Sequence, residues 1–204
     1  MAYINYLAEV KFSNKAYKKF PVILSNEHIL NRLVLKYFLS HRVVWSESTR
    51  RTYSKHLCDF FSQLEVENPE VSFDYIDDDW LEAYADQILE RNSNFPIYVS
   101  QILTTVINFL IWCEDNEYCK NLIGTASTFK IRIISIKDSF THQLIQYYSK
   151  QKSPLKLAPK EEWIEKVLAV EHFKSNSLET RFSVMVDCGK DAGLRAHEIR
   201  GGPT

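Results

Sequence analysis

Glycine and proline are scarce in this chain, with 5 Gly and 6 Pro among 204 residues. A fold of many short strands needs turn residues at close intervals, so this scarcity argues against an all-β protein. Apolar residues make up 45% of the sequence and charged residues 25%, which is typical of a chain that folds around a core. We therefore predict a mainly α protein with long helices, forming one large domain or a small domain and part of another.

Long apolar runs and paired cysteines are also missing. No apolar run reaches the ~18–20 residues of a membrane span, and residues 1–20 lack the apolar stretch of a signal peptide. The four cysteines form no CxxC pair and share no zinc-site spacing with the six histidines. We predict reduced thiols in a cytoplasmic protein that has no membrane association, no metal and no cofactor. The cysteines are Cys58, Cys113, Cys119 and Cys188.

A net charge of −1 would ordinarily argue against a nucleic-acid partner, but the charges are segregated along the chain. The net charge is +6 over residues 1–62, −9 over 63–95, +4 over 96–160 and −2 over 161–204. A fold that brings the two basic segments together would form a surface suited to DNA. Ordinary solvated helix faces would give the same pattern.

Apolar periodicity predicts four helices before residue 124. The first runs from Ser25 or Asn26 to Ser40, and the second from Ser46 or Ser48 to about Glu65. The third begins at a cap among 77–79 and ends at the loop 91–94, and the fourth spans about 95–116. After Gly124 we predict a short strand over 129–135, a partly helical basic linker, and further helices after Pro159.

The second helix has the clearest pattern in the chain. Its apolar stripe consists of Tyr53, Leu57, Phe60, Phe61 and Leu64. The opposite face carries basic and small polar residues, which are Arg50, Arg51, Ser54, Lys55 and Ser62. The helix is therefore predicted to be apolar on one side and basic on the other.

Three stretches resemble motifs of the tyrosine recombinase (phage integrase) family. The stretch S-x-x-T-x-x-x-Y-x-x-x-L-x-x-F-F over residues 46–61 is similar to the opening helix of the family's core-binding domain. The aromatic run at 108–113 resembles the end of that domain's long helix. DAGLRAHEI, at 191–199, resembles the first catalytic box T-G-L-R-x-x-E-[IL], with Ala192 in place of Thr.

The resemblance implies a helical-bundle core-binding (SAM-like) domain followed by a truncated, mostly helical start of an α+β catalytic domain. On this basis we assign an N-terminal extension to residues 1–25 and the core-binding DNA-binding domain to 26–123. A linker would span 124–158, and the start of the catalytic domain 159–204. Double-stranded DNA would be the partner, in DNA integration and recombination, and the protein would be nucleoid-associated.

The resemblance also assigns catalytic roles. Arg195 matches the first catalytic arginine, whose guanidinium would hold the scissile phosphate, and Glu198, one turn later, would support it. A plain surface ion pair between the two is the alternative. The family's catalytic lysine, H-x-x-R box and nucleophilic tyrosine cannot be placed, because the sequence ends five residues after Ile199. Tyr147 and Tyr148 precede Arg195, the wrong order for the nucleophile, and are interpreted as packing residues. We expect this chain alone to be catalytically incompetent.

The residues predicted to contact DNA come from the polar faces of the second and fourth helices and from the linker. They are Thr49, Arg50, Arg51, Lys55, Tyr98, Gln101, Thr104, Lys150 and Lys152. Self-association on DNA is expected only in a full-length recombinase. The alternatives are a non-enzymatic helical protein-interaction module with incidental basic faces, and a helical enzyme of another kind, for which no catalytic constellation is visible.

Overall fold

The computed structural model places most of the first three quarters of the chain. The chain divides into two compact units, Met1–Pro154 and Leu155–Thr204, and all described residues belong to the first. The residues that the structure describes are 1–12, 15–68, 72–92, 95–136 and 139–151.

Several predictions from the sequence fall outside these residues. The helices after Pro159 do so, and so do Lys152, Arg195 and Glu198. The assignment of 159–204 to a catalytic domain therefore stays a prediction.

Helices dominate the described part of the chain, which confirms a mainly α protein. The helices are Arg32–Ser40 (α1), Glu47–Glu67 (α2), Asp78–Arg91 (α3), Pro96–Asp115 (α4) and Gln143–Lys150 (α5). The strands are Tyr3–Phe12 (β1), Lys15–Leu24 (β2), Ile123–Gly124 (β3), Ile131–Ile136 (β4) and Ser139–His142 (β5). Strands β1 and β2 form an antiparallel hairpin, and in the second sheet β4 pairs parallel with β3 and antiparallel with β5.

The predicted caps of two helices are confirmed. The Ser46 side chain accepts a hydrogen bond from the Thr49 amide at 3.1 Å, and the Asp77 side chain accepts one from the Trp80 amide at 2.8 Å. Each satisfies an amide that has no partner within its helix. Pro96 opens α4, where its missing N–H costs nothing.

The predicted start of the first helix is wrong. The Ser25 hydroxyl accepts from the amides of Glu27 and Ile29, so it closes a turn instead of capping a helix. The cap is Asn31, whose side chain accepts from the Val34 amide at 3.0 Å. Serine stabilises turns and helix ends by the same kind of hydrogen bond, and the sequence alone did not distinguish the two.

The segment 1–25, predicted as an N-terminal extension, folds as the β1–β2 hairpin on the helical core. Tyr17, Phe20 and Ile23 are buried, and β2 packs mainly against α2. Burial of such side chains stabilises a fold by roughly 1.5–3 kcal/mol each. The hairpin is therefore part of the core and not an appendage to it.

Lys19 interrupts the regular strand pairing of this hairpin. Its φ is 47°, in the left-handed region, and the pair that would join it to Ala8 is missing from an otherwise continuous register. The usual alternation of strand faces breaks here, so Tyr17 and Phe20 are both buried although they are three positions apart. Lys18 and Lys19 between them are exposed.

Helix α4 lies at the centre of the core and packs against α2, α3 and α5. Val99, Leu103, Val106 and Leu110 on it are almost completely buried. By length and composition α4 is also the one helix among the described residues that could cross a membrane. However, 61% of its most apolar stretch is buried in the structure, as in the core helix of a globular domain, so it is weak evidence for a span.

The predicted strand after Gly124 is confirmed as β4, but the assignment of 124–158 to a linker is wrong as far as residue 151. The Asp78 carboxylate accepts from the Arg132 amide at 3.1 Å and from His142 Nε2 at 2.9 Å, which fastens β4 and β5 to the start of α3. Tyr148 is buried and donates to Asp86 at 2.7 Å, as expected of a packing residue. Tyr147 is exposed.

The end of α4 is held by the half-buried carboxylate of Glu114. It accepts hydrogen bonds from the backbone amides of Asn121 at 2.8 Å, Leu122 at 3.0 Å and Ile123 at 3.4 Å. One side chain therefore satisfies three amides of the loop that leads from α4 into β3. Asn121 has a φ of 57°, a conformation that asparagine adopts more readily than most residues.

We predict that Glu114→Gln lowers the free energy of unfolding by about 1–2 kcal/mol, because the amide has one acceptor oxygen and turns an NH₂ group toward backbone donors. Chemical denaturation would measure the change. The matched control is Asp115→Asn, which alters an exposed neighbour that makes no hydrogen bond among the described residues. Equal denaturation midpoints for the two variants would contradict the proposed role of Glu114.

Candidate nucleic-acid interface

Arg50 was predicted to contact DNA, and the structure contradicts this. Its side chain is only 6% exposed and lies between α2 and the hairpin, with Cζ 5.5 Å from the ring centre of Tyr17 and 5.9 Å from that of Phe20. One terminal nitrogen donates to the Trp45 carbonyl. The hairpin, absent from the sequence prediction, covers the face on which Arg50 lies.

Arg51 and Lys55 lie one turn apart on the exposed face of α2. Neither forms an ion pair with any described residue. The Arg51 guanidinium and the Lys55 ammonium group are therefore available to an anion. Thr49 is half-buried, and its hydroxyl is 2.8 Å from that of Ser46 within the N-terminal cap. The Thr49 hydroxyl is therefore part of the N-terminal cap of α2.

On α4, the structure places Tyr98, Gln101 and Thr104 at the surface. Tyr98 is 36% exposed. The Thr104 hydroxyl donates to the Ser100 carbonyl at 2.7 Å, which leaves its lone pairs free to accept. The three side chains follow one another along the same side of the first half of α4.

His56 joins the two helices that carry these residues. It lies on α2, is 4% exposed, and its Nδ1 is 2.8 Å from the Thr105 hydroxyl of α4. Its ring meets that of Tyr98 edge-on at 5.9 Å. The exposed residues of the two helices, Arg51 and Lys55 on α2 and Tyr98, Gln101 and Thr104 on α4, are together called the α2–α4 surface.

Burial keeps His56 neutral. Desolvation lowers its pKa from 6.5 to about 4, with Lys55 acting in the same direction and Asp59 opposing it. The contact between the two helices is therefore an uncharged hydrogen bond at neutral pH. The positive charge of the α2–α4 surface comes from Arg51 and Lys55.

Asp59, which lies one turn after Lys55 on α2, is already engaged. Asp59 accepts from the Tyr84 hydroxyl at 2.9 Å and pairs with Arg91 at 3.1 Å. Its negative charge is compensated within the protein, so it weakens the field of Lys55 less than a free carboxylate would.

Two basic residues near this region were not predicted as DNA contacts. Lys18 and Lys19 are exposed on the hairpin between Tyr17 and Phe20, whose rings lie against Arg50. Both lysines were counted in the net positive charge of residues 1–62. Because the sequence analysis did not predict the hairpin, it could not place them near α2.

The other candidates are only partly placed. Lys150 is exposed in the last turn of α5, which packs against α4 and β5.

Among the described residues, no group of three or more His, Cys, Asp or Glu side chains is arranged to hold a metal ion. Of the cysteines, Cys113 is buried, and Cys58 and Cys119 are half-buried free thiols.

Comparison of the chain with models of known protein families, with curated proteins and with solved structures finds no match.

Proposed function

We propose that the protein binds double-stranded DNA through the α2–α4 surface. The observation that carries this proposal is the buried contact of His56 with Thr105 and Tyr98, which packs together the two helices that carry the predicted DNA-contacting residues. A basic helix face next to aromatic and amide side chains offers phosphate contacts and contacts to base edges.

The main source of affinity is the pair Arg51 and Lys55. Each cation that neutralises a phosphate releases condensed counterions, so binding weakens as salt increases. Gln101 and Thr104 carry no charge and would add positioning contacts. Lys18 and Lys19 are exposed on the hairpin that packs against α2 and would add positive charge.

The family resemblance gives this function a context, namely DNA contact in site-specific recombination by a tyrosine recombinase. Its support is the sequence motifs at 46–61 and 191–199. Arg195 and Glu198 lie outside the described residues, so the catalytic roles stay predictions.

The test is duplex binding across a salt series for the parent chain and for Arg51→Ala/Lys55→Ala. We expect the variant to bind roughly tenfold more weakly at about 0.1 M salt, and to lose about one unit of the log–log salt slope for each lost phosphate contact. Fluorescence anisotropy with a labelled duplex would measure both quantities.

The control is Lys120→Ala/Lys130→Ala, which removes the same charge from exposed residues that follow α4. Lys130 pairs with Asp74 at 3.6 Å, so Lys120→Ala alone serves as the unpaired single control. Since α4 is about 30 Å long, these positions lie far from its first half. Equal losses in the two double variants would show that only net charge matters and would contradict the α2–α4 surface. Absence of binding by the parent chain at low salt would refute DNA binding itself.

A further inference from the structure

A cavity of about 350 Å³ with mostly aromatic walls opens beside α1, α2 and α4. Five rings line it, those of Tyr37, His41, Trp45, Tyr53 and Trp112, and we call it the aromatic cup. The exposed side chains of Asn108 and Asp115 also line it. None of the functions discussed above uses this cavity.

Most rings of the cup meet at steep angles, and His41 and Trp45 stack at 4.2 Å and 13°. Tyr37 lies 5.2 Å from Trp45 at 76° and 5.3 Å from Trp112 at 59°. Tyr53 meets Trp45 at 4.8 Å and 84°. The rings that meet at steep angles form walls around a space, and the face of an aromatic ring carries negative potential.

The charged groups that line the cup favour a cation. Asp115 lines it and forms no ion pair with any described residue. It is the last residue of α4, and His41 is the C-cap of α1, so the negative ends of two helix dipoles lie there. No lysine or arginine lines the cup, and the nearby Lys36 is bound to Tyr118.

The cup also contains an unused hydrogen-bonding group. Tyr37 is 2% exposed, and its hydroxyl has no hydrogen-bond partner among the described residues. Burial above all, with Tyr53 and Cys113, raises the pKa of Tyr37 well above its usual value, so the group remains a neutral phenol whose oxygen can accept.

We propose that the aromatic cup binds a guanidinium group. A guanidinium is planar, stacks on aromatic faces and donates five N–H groups, which matches Asp115, the Asn108 amide oxygen and the Tyr37 hydroxyl. A phosphate would be repelled by Asp115 and the helix ends. A quaternary ammonium would fit the rings but would leave every acceptor unused.

The binding test uses protein carrying ¹⁵N-labelled tryptophan and follows the indole signals by NMR. The probe is N-acetyl-arginine amide, with N-acetyl-citrulline amide as its uncharged counterpart and N-acetyl-lysine amide as a non-planar cation. We expect Trp45 and Trp112 to shift with an apparent Kd on the order of 1 mM. Trp80, whose indole donates to Glu67 outside the cup, should not shift.

Asp115→Asn should weaken binding of the arginine probe roughly fivefold, since it removes the charged acceptor and keeps the shape. The matched control is Glu117→Gln, an exposed carboxylate two residues away that does not line the cup. Both substitutions are at exposed positions, so both variants should fold. Equal weakening in the two would show nonspecific attraction and overturn the proposal.

The source of the group is decided by comparing the capped arginine with agmatine, a small free guanidine. Tighter binding of the capped residue supports an arginine side chain of a partner protein, and tighter binding of agmatine supports a small ligand. Either result supports a guanidinium site. Shifts of the same size with the citrulline probe, or no shift with any probe, would overturn it. The outcome is independent of DNA binding, which involves a different surface.

Discussion

Arg50→Ala is expected to lower the free energy of unfolding by about 3 kcal/mol and to leave the DNA affinity of the folded protein unchanged. The guanidinium fills the space between α2 and the hairpin, over the rings of Tyr17 and Phe20, and one nitrogen donates to the Trp45 carbonyl. Alanine would open a cavity there and leave that carbonyl without its partner. Urea denaturation and the anisotropy assay would measure the two quantities.

Arg51→Ala is the matched control, because it removes the same side chain from the next position, which is exposed. It should change stability by less than about 0.5 kcal/mol and should weaken DNA binding. Arg50→Met, which keeps much of the side-chain volume, should fall between alanine and the parent in stability. If instead Arg50→Ala were as stable as the parent and failed to bind DNA, Arg50 would face the duplex as the sequence predicted.

The stability of the protein is expected to fall by about 3 kcal/mol between pH 6.5 and pH 4 on account of His56. Burial lowers the pKa of His56 to about 4 in the folded state, against its ordinary value of 6.5. Between these two values the unfolded chain binds a proton that the folded chain does not, so acid favours unfolding. The contribution is complete above pH 6.5 and is lost as the pH falls toward 4.

Unfolding free energies measured from pH 7.5 to pH 4 would show this slope in the parent. His56→Gln should flatten it, because glutamine does not titrate and can still reach the Thr105 hydroxyl. His28→Asn is the control, since His28 is exposed with a φ of 63°, which asparagine tolerates. A slope that persists undiminished in His56→Gln would assign the acid sensitivity to other groups.

Local signals in the sequence predicted the helices well. The stripe from Leu57 to Leu64 is buried as expected, and Ser46, Asp77 and Pro96 mark the starts of three helices. These features depend on neighbouring residues only, so periodicity and capping chemistry are sufficient to find them. The strand after Gly124 was recognised for the same reason.

Contacts between distant segments were not predictable in this way. The alternation of buried and exposed side chains in β2 is interrupted at Lys19. The sequence therefore lacks the regular period-2 pattern by which a strand is recognised. Without the hairpin, Arg50 could only be assigned to the polar face of α2. The hydrogen bond between Asp78 and His142 joins residues 64 positions apart. No local sequence pattern predicts that the segment after Gly124 packs against α3.

The two edges of the hairpin differ in their ability to accept another strand. A proline is accommodated in a paired strand with its nitrogen on the outer edge, so Pro21 deprives the outer edge of β2 of a donor, and Lys19 bends the same edge. β1 has neither interruption over Tyr3–Phe12. Growth of the sheet by domain swapping, by strand addition from a partner or by aggregation would therefore begin on β1.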